Sequence, residues 1–235
     1  MRHEALALFE QGIKMRYGLD VVIGIDEAGR GALAGPVYAG ACAITDPRNT
    51  GFINDSKVLS QRQRETAYAL LPEHALFATG YATAAEVDAC GILPATYAAM
   101  ERAFHALFPL VQARYETGRV GVVVDGPLLP PFLRGREDPV CMAVVDADAM
   151  VLAVAGASIA AKVERDHAMR QMAHHVHGYG LERNVGYGTH EHIEALRIKG
   201  PSPEHRRTFV VKQLEETQEE LPLEKSAQSH PRKNG

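Results

Sequence analysis

Val21-Val22-Ile23-Gly24-Ile25-Asp26-Glu27-Ala28-Gly29-Arg30-Gly31-Ala32-Leu33-Ala34-Gly35-Pro36-Val37-Tyr38 is the stretch that decides the fold. A short apolar run bounded by glycine reads as a buried strand, and here the run delivers two adjacent carboxylates, Asp26 and Glu27. Successive strand side chains point to opposite faces. The two acids are therefore expected to share a site only where the strand ends, and Gly29-Arg30-Gly31 supplies the turn. Glycine there lets the backbone take φ > 0 and lie against a ligand with no Cβ in the way. Two acids, bare amides and a guanidinium suit a divalent metal beside a phosphodiester. Alone, the stretch also reads as an ordinary hairpin with a solvated Glu27, so residues further along have to decide.

Working outward, apolar residues at helical spacing predict an N-terminal helix over Glu4 to Met15, then strands over Asp20 to Asp26 and Gly35 to Ile44 in a hairpin. Ser60-Gln61-Arg62-Gln63 and Thr83-Ala84-Ala85-Glu86 are capping boxes opening two helices, the first expected to stop at Pro72. A third strand over Ala75 to Tyr81 lies between them, and Ala95 to Tyr115 has the three-and-four spacing of a helix covering a sheet. Arg119 to Asp125 and Pro139 to Val145 read as the last two strands, and Asp148 to His174 as a long alanine-rich helix. His177 to Thr189 is a glycine loop, and Thr189 caps a helix stopping at Gly200-Pro201. Three antiparallel strands followed by helix–strand units predict an α/β layer with a mixed sheet.

Composition bounds the function without choosing it. A 46% hydrophobic share with 23% charged residues suits a soluble globular protein, and no apolar run approaches membrane-spanning length. The N-terminus shows no signal-peptide core. Cys42, Cys90 and Cys141 are odd in number and lack metal-like spacing, which points to free thiols in a reducing cytoplasm. A net charge of −4 argues mildly against a nucleic-acid partner, but carboxylates in a metal site count as negative while being neutralised by the ion.

The acids recur in one pattern. Val122-Val123-Val124-Asp125-Gly126 is again an apolar run stopping at an acid and a glycine, and Val144-Val145-Asp146-Ala147-Asp148 ends the next. Acids at the ends of neighbouring strands converge above the sheet, where α/β folds place their sites. Asp26, Glu27, Asp125 and Asp148 packed together would raise one another's pKa unless cations intervene, and oxygen-only ligands select Mg²⁺ or Mn²⁺. Two such ions roughly 4 Å apart suit an in-line phosphoryl displacement. The plainer reading makes each acid a separate strand-end residue, or in the case of Asp148 a helix N-cap.

Five segments together resemble ribonuclease HII, the bacterial type 2 ribonuclease H. They are Gly24 to Gly31; Asn54-Asp55-Ser56-Lys57 with Leu59-Ser60; Val124-Asp125-Gly126; Ala157 to Asp166; and Gly186-Tyr187-Gly188-Thr189 leading to His205-Arg206-Arg207-Thr208-Phe209. The resemblance implies a ribonuclease H-like mixed five-stranded sheet flanked by helices, with a C-terminal helical appendage. The chain then divides into a catalytic domain over 1–165 (1–18 an N-terminal helix) and a helical substrate-binding region over 166–214, and the polar, Pro-containing stretch over 215–235 reads as a disordered tail. It implies a cytoplasmic, monomeric endonuclease requiring Mg²⁺ or Mn²⁺, with no membrane partner. The implied substrates are RNA–DNA hybrid and ribonucleotide-containing duplex DNA, cut 5′ to the ribonucleotide to leave 3′-hydroxyl and 5′-phosphate ends.

Residue by residue, Asp26, Glu27, Asp125 and Asp148 match the family's metal-binding carboxylates. Gly29, Arg30 and Gly31 match its reader of the 2′-hydroxyl, the group that tells RNA from DNA, and Tyr187 matches the tyrosine that packs on the ribose. Ser56, Lys57, Ser158 and Lys162 resemble phosphate-contacting positions, with Arg165, Arg206 and Arg207 as extensions of that surface. An isolated Lys162 would read as a snorkelling side chain, and His205-Arg206-Arg207 equally as a solvated loop. His174, His175 and His177 lack the partner spacing of a zinc site. The chain departs from the family at Asp146-Ala147, where a basic residue and glycine are common, and at Asn184-Val185 before the tyrosine loop. Asp146 is expected to strengthen metal capture. Two other readings are a resolvase-like or exonuclease-like two-metal enzyme, which has no 2′-hydroxyl to read, and a non-catalytic hybrid-binding module, against which the four retained acids speak.

Overall fold

A computed structural model describes the backbone of residues 2–54, 56–136 and 138–219, and the side chains of those between 4 and 214. Its centre is a five-stranded mixed sheet in the order β3-β2-β1-β4-β5, built from β1 (Val21–Ala28), β2 (Val37–Ile44), β3 (Ala75–Ala82), β4 (Val120–Asp125) and β5 (Val140–Val144). The first three strands are antiparallel neighbours, while β4 and β5 run parallel to β1. The predicted hairpin, mixed sheet and flanking helices are all present.

Helices cover both faces. α4 (Ile92–Tyr115) seals one with Ala95, Ala99, Met100, Phe104, Leu107 and Val111, packed on alternate residues of β1, β2 and β4. The other face carries α5 (Leu152–Ala173), backed by α1 (Arg2–Tyr17) and α2 (Gln61–His74). α5 lies unusually close because the strands beneath it lack side chains at the contact. A methyl at Gly24 would collide with the backbone of Ala153 and Val154, and one at Gly40 with the Ala157 carbonyl. The buried Glu10 of α1 also accepts the Ala153 N–H at 2.8 Å, capping α5 from another helix.

A third apolar cluster joins Leu33 and Ala34, in the link from β1 to β2, to Met169 of α5 and to the C-terminal helices α6 (Leu181–Asn184), α7 (His190–Lys199) and α8 (Arg207–Glu219). α5 thus runs without a break across the expected boundary at residue 165.

Both capping boxes form as expected, and the second opens the short α3 (Ala84–Cys90). Three expectations change. Pro72 does not close α2, which continues to His74, because a proline in the last turn forfeits little of the ladder. Asp148 is not on α5; it sits in a separate 3₁₀ turn over Ala147–Ala149, entered through Asp146 in the left-handed region at φ 58°. The stretch expected to be disordered from Glu215 begins as the end of α8, which runs to Glu219, and its remainder lies outside the described residues.

Candidate active site

Strand register brings the first acids together. Ile25 pairs with Val124 across the parallel β1–β4 ladder, which places Asp26 level with Asp125 on the neighbouring strand. Level residues of parallel strands share a face, and Ile25 and Val124 both belong to the core beneath α4, so Asp26 and Asp125 face α5. β1 does not end at Asp26 as expected; it runs on to Ala28, paired on the β2 side only. Because β4 stops at Asp125 and turns away through Gly126 (φ 115°), Glu27 meets no strand on that flank. Glu27 lines both the cleft on the α5 side and an apolar hollow on the α4 side formed with Leu93, Tyr97, Met100 and Leu128. The overhang, rather than a turn, lets adjacent acids serve one site.

The 3₁₀ turn brings the fourth. Ala147 donates its N–H to Asp125 Oδ1 at 2.7 Å, and the next residue, Asp148, is 1% exposed with the Lys57 ammonium 2.9 Å from Oδ2. The four acids share one electrostatic environment. Burial pushes the Asp26 carboxyl well above the usual carboxylate range, and the charges of Glu27 and Asp125 push it further. Glu27 is raised by burial against the pull of Arg30, whose Nη1 stands 3.0 Å from Oε1. Asp125 is raised by burial and by the charges of Asp148 and Asp146. Lys57 is raised by its bond to Asp148.

The cleft beside these acids encloses about 280 Å³ between Asp26, Glu27, Ser56, Lys57, Arg64, Asp125, Ser158, Lys162 and Tyr187. It therefore gathers residues from five distant segments. Ser56 and Ser158, 102 positions apart, meet at 2.8 Å. Lys162 forms an ion pair with Asp166 at 2.6 Å and stands 5.7 Å from the centre of the Tyr187 ring. Arg64 escaped the sequence reading. It donates to the Ser56 carbonyl at 3.0 Å and so holds the Ser56–Leu59 loop; its place one turn beyond the Ser60 cap, facing that loop, was the available signal.

The glycine turn meets the expectation of close approach. Gly29 has φ 89° and packs on Arg165, while a methyl at Gly31 would point into open space, so no protein contact demands glycine there. Two of the anticipated phosphate contacts have to be corrected. Arg165 and Arg206 are both fully buried. Arg165 Nε donates to the Pro36 carbonyl at 3.0 Å and its guanidinium lies 5.2 Å from the Tyr187 ring centre. Arg206 donates to the carbonyls of Gly35 and Arg30 at 2.9 and 2.8 Å. Buried guanidinium groups that hold backbone carbonyls buttress the turn and cannot touch a phosphate from where they sit. Arg207 is exposed, with its N–H on Asp88. His174, His175 and His177 are exposed at and just beyond the end of α5.

The donor set fits a hard divalent cation. Every candidate ligand is a carboxylate oxygen. Among the described residues no three acidic, imidazole or thiol groups stand close enough to hold an ion by themselves, so waters or a bound phosphate would have to supply the remaining ligands. Asp26, Glu27 and Asp125 are raised first by burial and only secondly by the charges of neighbouring acids, and a cation held among them would favour their charged forms.

Comparison with known proteins places these residues in context. A family model described as Ribonuclease HII matches residues 23–213. A ribonuclease HII of Paramagnetospirillum magneticum is 43% identical over 197 residues, covering 81% of this chain and 90% of that one. Among solved structures, the RNase HII in the PCNA:RNase HII complex from Archaeoglobus fulgidus superposes with a TM-score of 0.59 at 25% identity, covering 82% of this chain and 96% of its own. An RNase HIII in complex with Mn²⁺ shares the fold at 18% identity, with a TM-score of 0.58 over 81% of this chain and 64% of its own.

Proposed function

The chain belongs to the ribonuclease HII family and is a type 2 ribonuclease H, an endonucleolytic hydrolase; from that premise we propose that it cuts RNA–DNA hybrids and incises duplex DNA 5′ to single ribonucleotides, leaving 3′-hydroxyl and 5′-phosphate ends. The observation that carries this reading is the shared cleft. Acids of β1 and β4 line it together with Lys57, Tyr187 and the serine pair, beside a glycine turn open to solvent.

Asp26, Glu27, Asp125 and Asp148 would hold Mg²⁺ or Mn²⁺, two ions during the reaction, which supply the Lewis acid for in-line displacement at phosphorus. The chain's own groups do the positioning. Gly31 and its neighbouring amides leave room for a ribose edge and can bond its 2′-hydroxyl, while Tyr187, half-buried between Lys162 and Arg165, offers a ring for the sugar to pack on. Lys57 and Lys162 bring positive charge to the phosphate path, with Ser56 and Ser158 as hydroxyl donors beside it. Three unpaired thiols among the described residues agree with a cytoplasmic setting.

The experiment is a comparison of two duplexes, one with a single embedded ribonucleotide and one with a continuous RNA strand. Tyr187→Ala is expected to slow the first about tenfold more than the second, in line with the loss of one base- or sugar-stacking contact; equal losses on both would remove Tyr187 from ribose recognition.

A further inference from the structure

His192 and His205 are 0% and 1% exposed, and their Nε2 atoms stand 2.9 Å apart. One pattern of protons satisfies every neighbour. His192 Nδ1 lies 2.9 Å from the Tyr187 carbonyl, which can only accept, so Nδ1 carries the hydrogen and Nε2 is left as an acceptor. His205 must then donate from Nε2, and its Nδ1 accepts from the Ser202 hydroxyl at 2.7 Å and the Ser202 N–H at 3.1 Å. Both rings are neutral, and the chain of bonds runs from Ser202 through both histidines to the backbone of Tyr187.

The backbone closes the circuit on its other side. His205 bridges Ala34, Gly35 donates to the Glu204 carbonyl at 2.8 Å, and Arg206 donates to the Leu33 carbonyl at 2.8 Å. Leu33 in turn donates to the Gly186 carbonyl at 2.7 Å. The outgoing limb of the glycine turn is thus stitched to the histidine segment and to the residue before Tyr187.

We propose that the His192–His205 pair is a positioning device that fixes Tyr187 relative to the Gly29–Gly31 turn, so that ribose discrimination depends on the pair being intact. This rests on the ribose-reading role given above to Tyr187 and the turn. A proton taken up at His192 Nε2 sets two N–H groups against each other across the pair, and one taken up at His205 Nδ1 sets an N–H against the Ser202 amide, so protonation of either ring breaks one bond of the chain. The groups facing the pair are Ser202, the Tyr187 carbonyl, the ring of Tyr179 lying 4.6 Å from that of His205, and Glu191 on α7. Arg206, next in the chain, is turned to the carbonyls of Gly35 and Arg30. Burial pushes His205 down to about 4, with His192 adding to the effect, and pushes His192 down against the pull of the Tyr187 carbonyl and Glu191. Each imidazole therefore titrates below its unfolded value, so the intact pair is favoured at neutral pH and is lost as pH falls.

The test reads the ratio of cutting rates on single-ribonucleotide and continuous-RNA duplexes, in which the titration of the carboxylate cluster common to both substrates cancels. His205→Leu is expected to lower that ratio about tenfold near neutral pH, the scale of one lost buried hydrogen bond. His205→Gln keeps a donor for His192 and should hold the ratio within about threefold of the parent. In the unmodified protein the ratio should hold near neutral pH and fall as pH drops toward about 4, the value of His205, and the fall should be smaller in His205→Gln. Should His205→Leu fail to fold, the pH comparison of the parent with His205→Gln decides. A ratio indifferent to pH, or equal losses in the Leu and Gln variants, would overturn the proposal. If Tyr187→Ala changes the ratio and His205→Leu does not, the coupling alone is refuted. If Tyr187→Ala leaves the ratio unchanged, the underlying reading of the tyrosine falls and takes the coupling with it.

Discussion

Asp26 shows how much one residue depends on its surroundings. It is 5% exposed, accepts the Glu27 N–H at 2.7 Å, and shares its field with two further acids. Replacing it by asparagine removes charge while keeping shape. Asp26→Asn is accordingly expected to reduce cutting by about a thousandfold or more, the scale of losing a group that places the reacting centre, with uncut duplex bound within about threefold; a gel-shift beside a rate assay checks both. Asp146, exposed and in the left-handed region, raises Asp125 from outside the cleft. Asp146→Asn keeps a residue suited to that conformation and removes the charge, so the metal concentration for half-maximal rate should rise severalfold; an unchanged metal titration would separate Asp146 from the site. The acids were legible in the sequence because three apolar runs each end in one. The buried arginines were not, since Arg165 on a helix and Arg206 in a basic triplet look the same whether solvated or enclosed.

The helix α5 and its seat on the sheet set the precision of the cleft, because α5 carries Ser158 and Lys162. Alanine richness hinted at close packing, and the glycines of β1 and β2 complete it from the opposite surface. Gly40→Ala should push α5 away from β2 at Ala157, the residue before Ser158, and destabilise the fold by about 1–3 kcal/mol, as overpacking does. A denaturant melt measures this, and a parent-like midpoint would mean that α5 yields without cost. Removing the Glu10 cap with Glu10→Ala should cost about 1 kcal/mol through the unmet Ala153 amide. Glu10 could not be found from sequence, because its partner lies 143 residues away. Local grammar did better: the two capping boxes and the Thr189 cap are all present. Sequence alone ends β1 too early, because the glycines mark the turn whereas pairing with β2 carries the strand on to Ala28.

Over the whole molecule, two sheet faces and a C-terminal cluster meet at the open end of β1. The long-range ties there run between segments far apart in the chain: Leu33 with Gly186 and Arg206, and Asp88 with the first turn of α8. Such ties explain why the layer architecture could be inferred from patterns while the histidine pair could not; nothing in the spacing of His192 and His205 signals that their rings touch. A net charge of −4 is compatible with a phosphodiester substrate, since three of the acids counted in it line the cleft where cations are expected to neutralise them. The proposed cutting depends on those acids. Its most direct test is incubation of duplex DNA containing one ribonucleotide with the protein and Mg²⁺ or Mn²⁺, with and without chelator, beside Asp26→Asn. A single cut on the 5′ side of the ribonucleotide, abolished by chelator and by the substitution, is the expected result; a strand left whole under every metal tried, or cut equally well by Asp26→Asn, would contradict it.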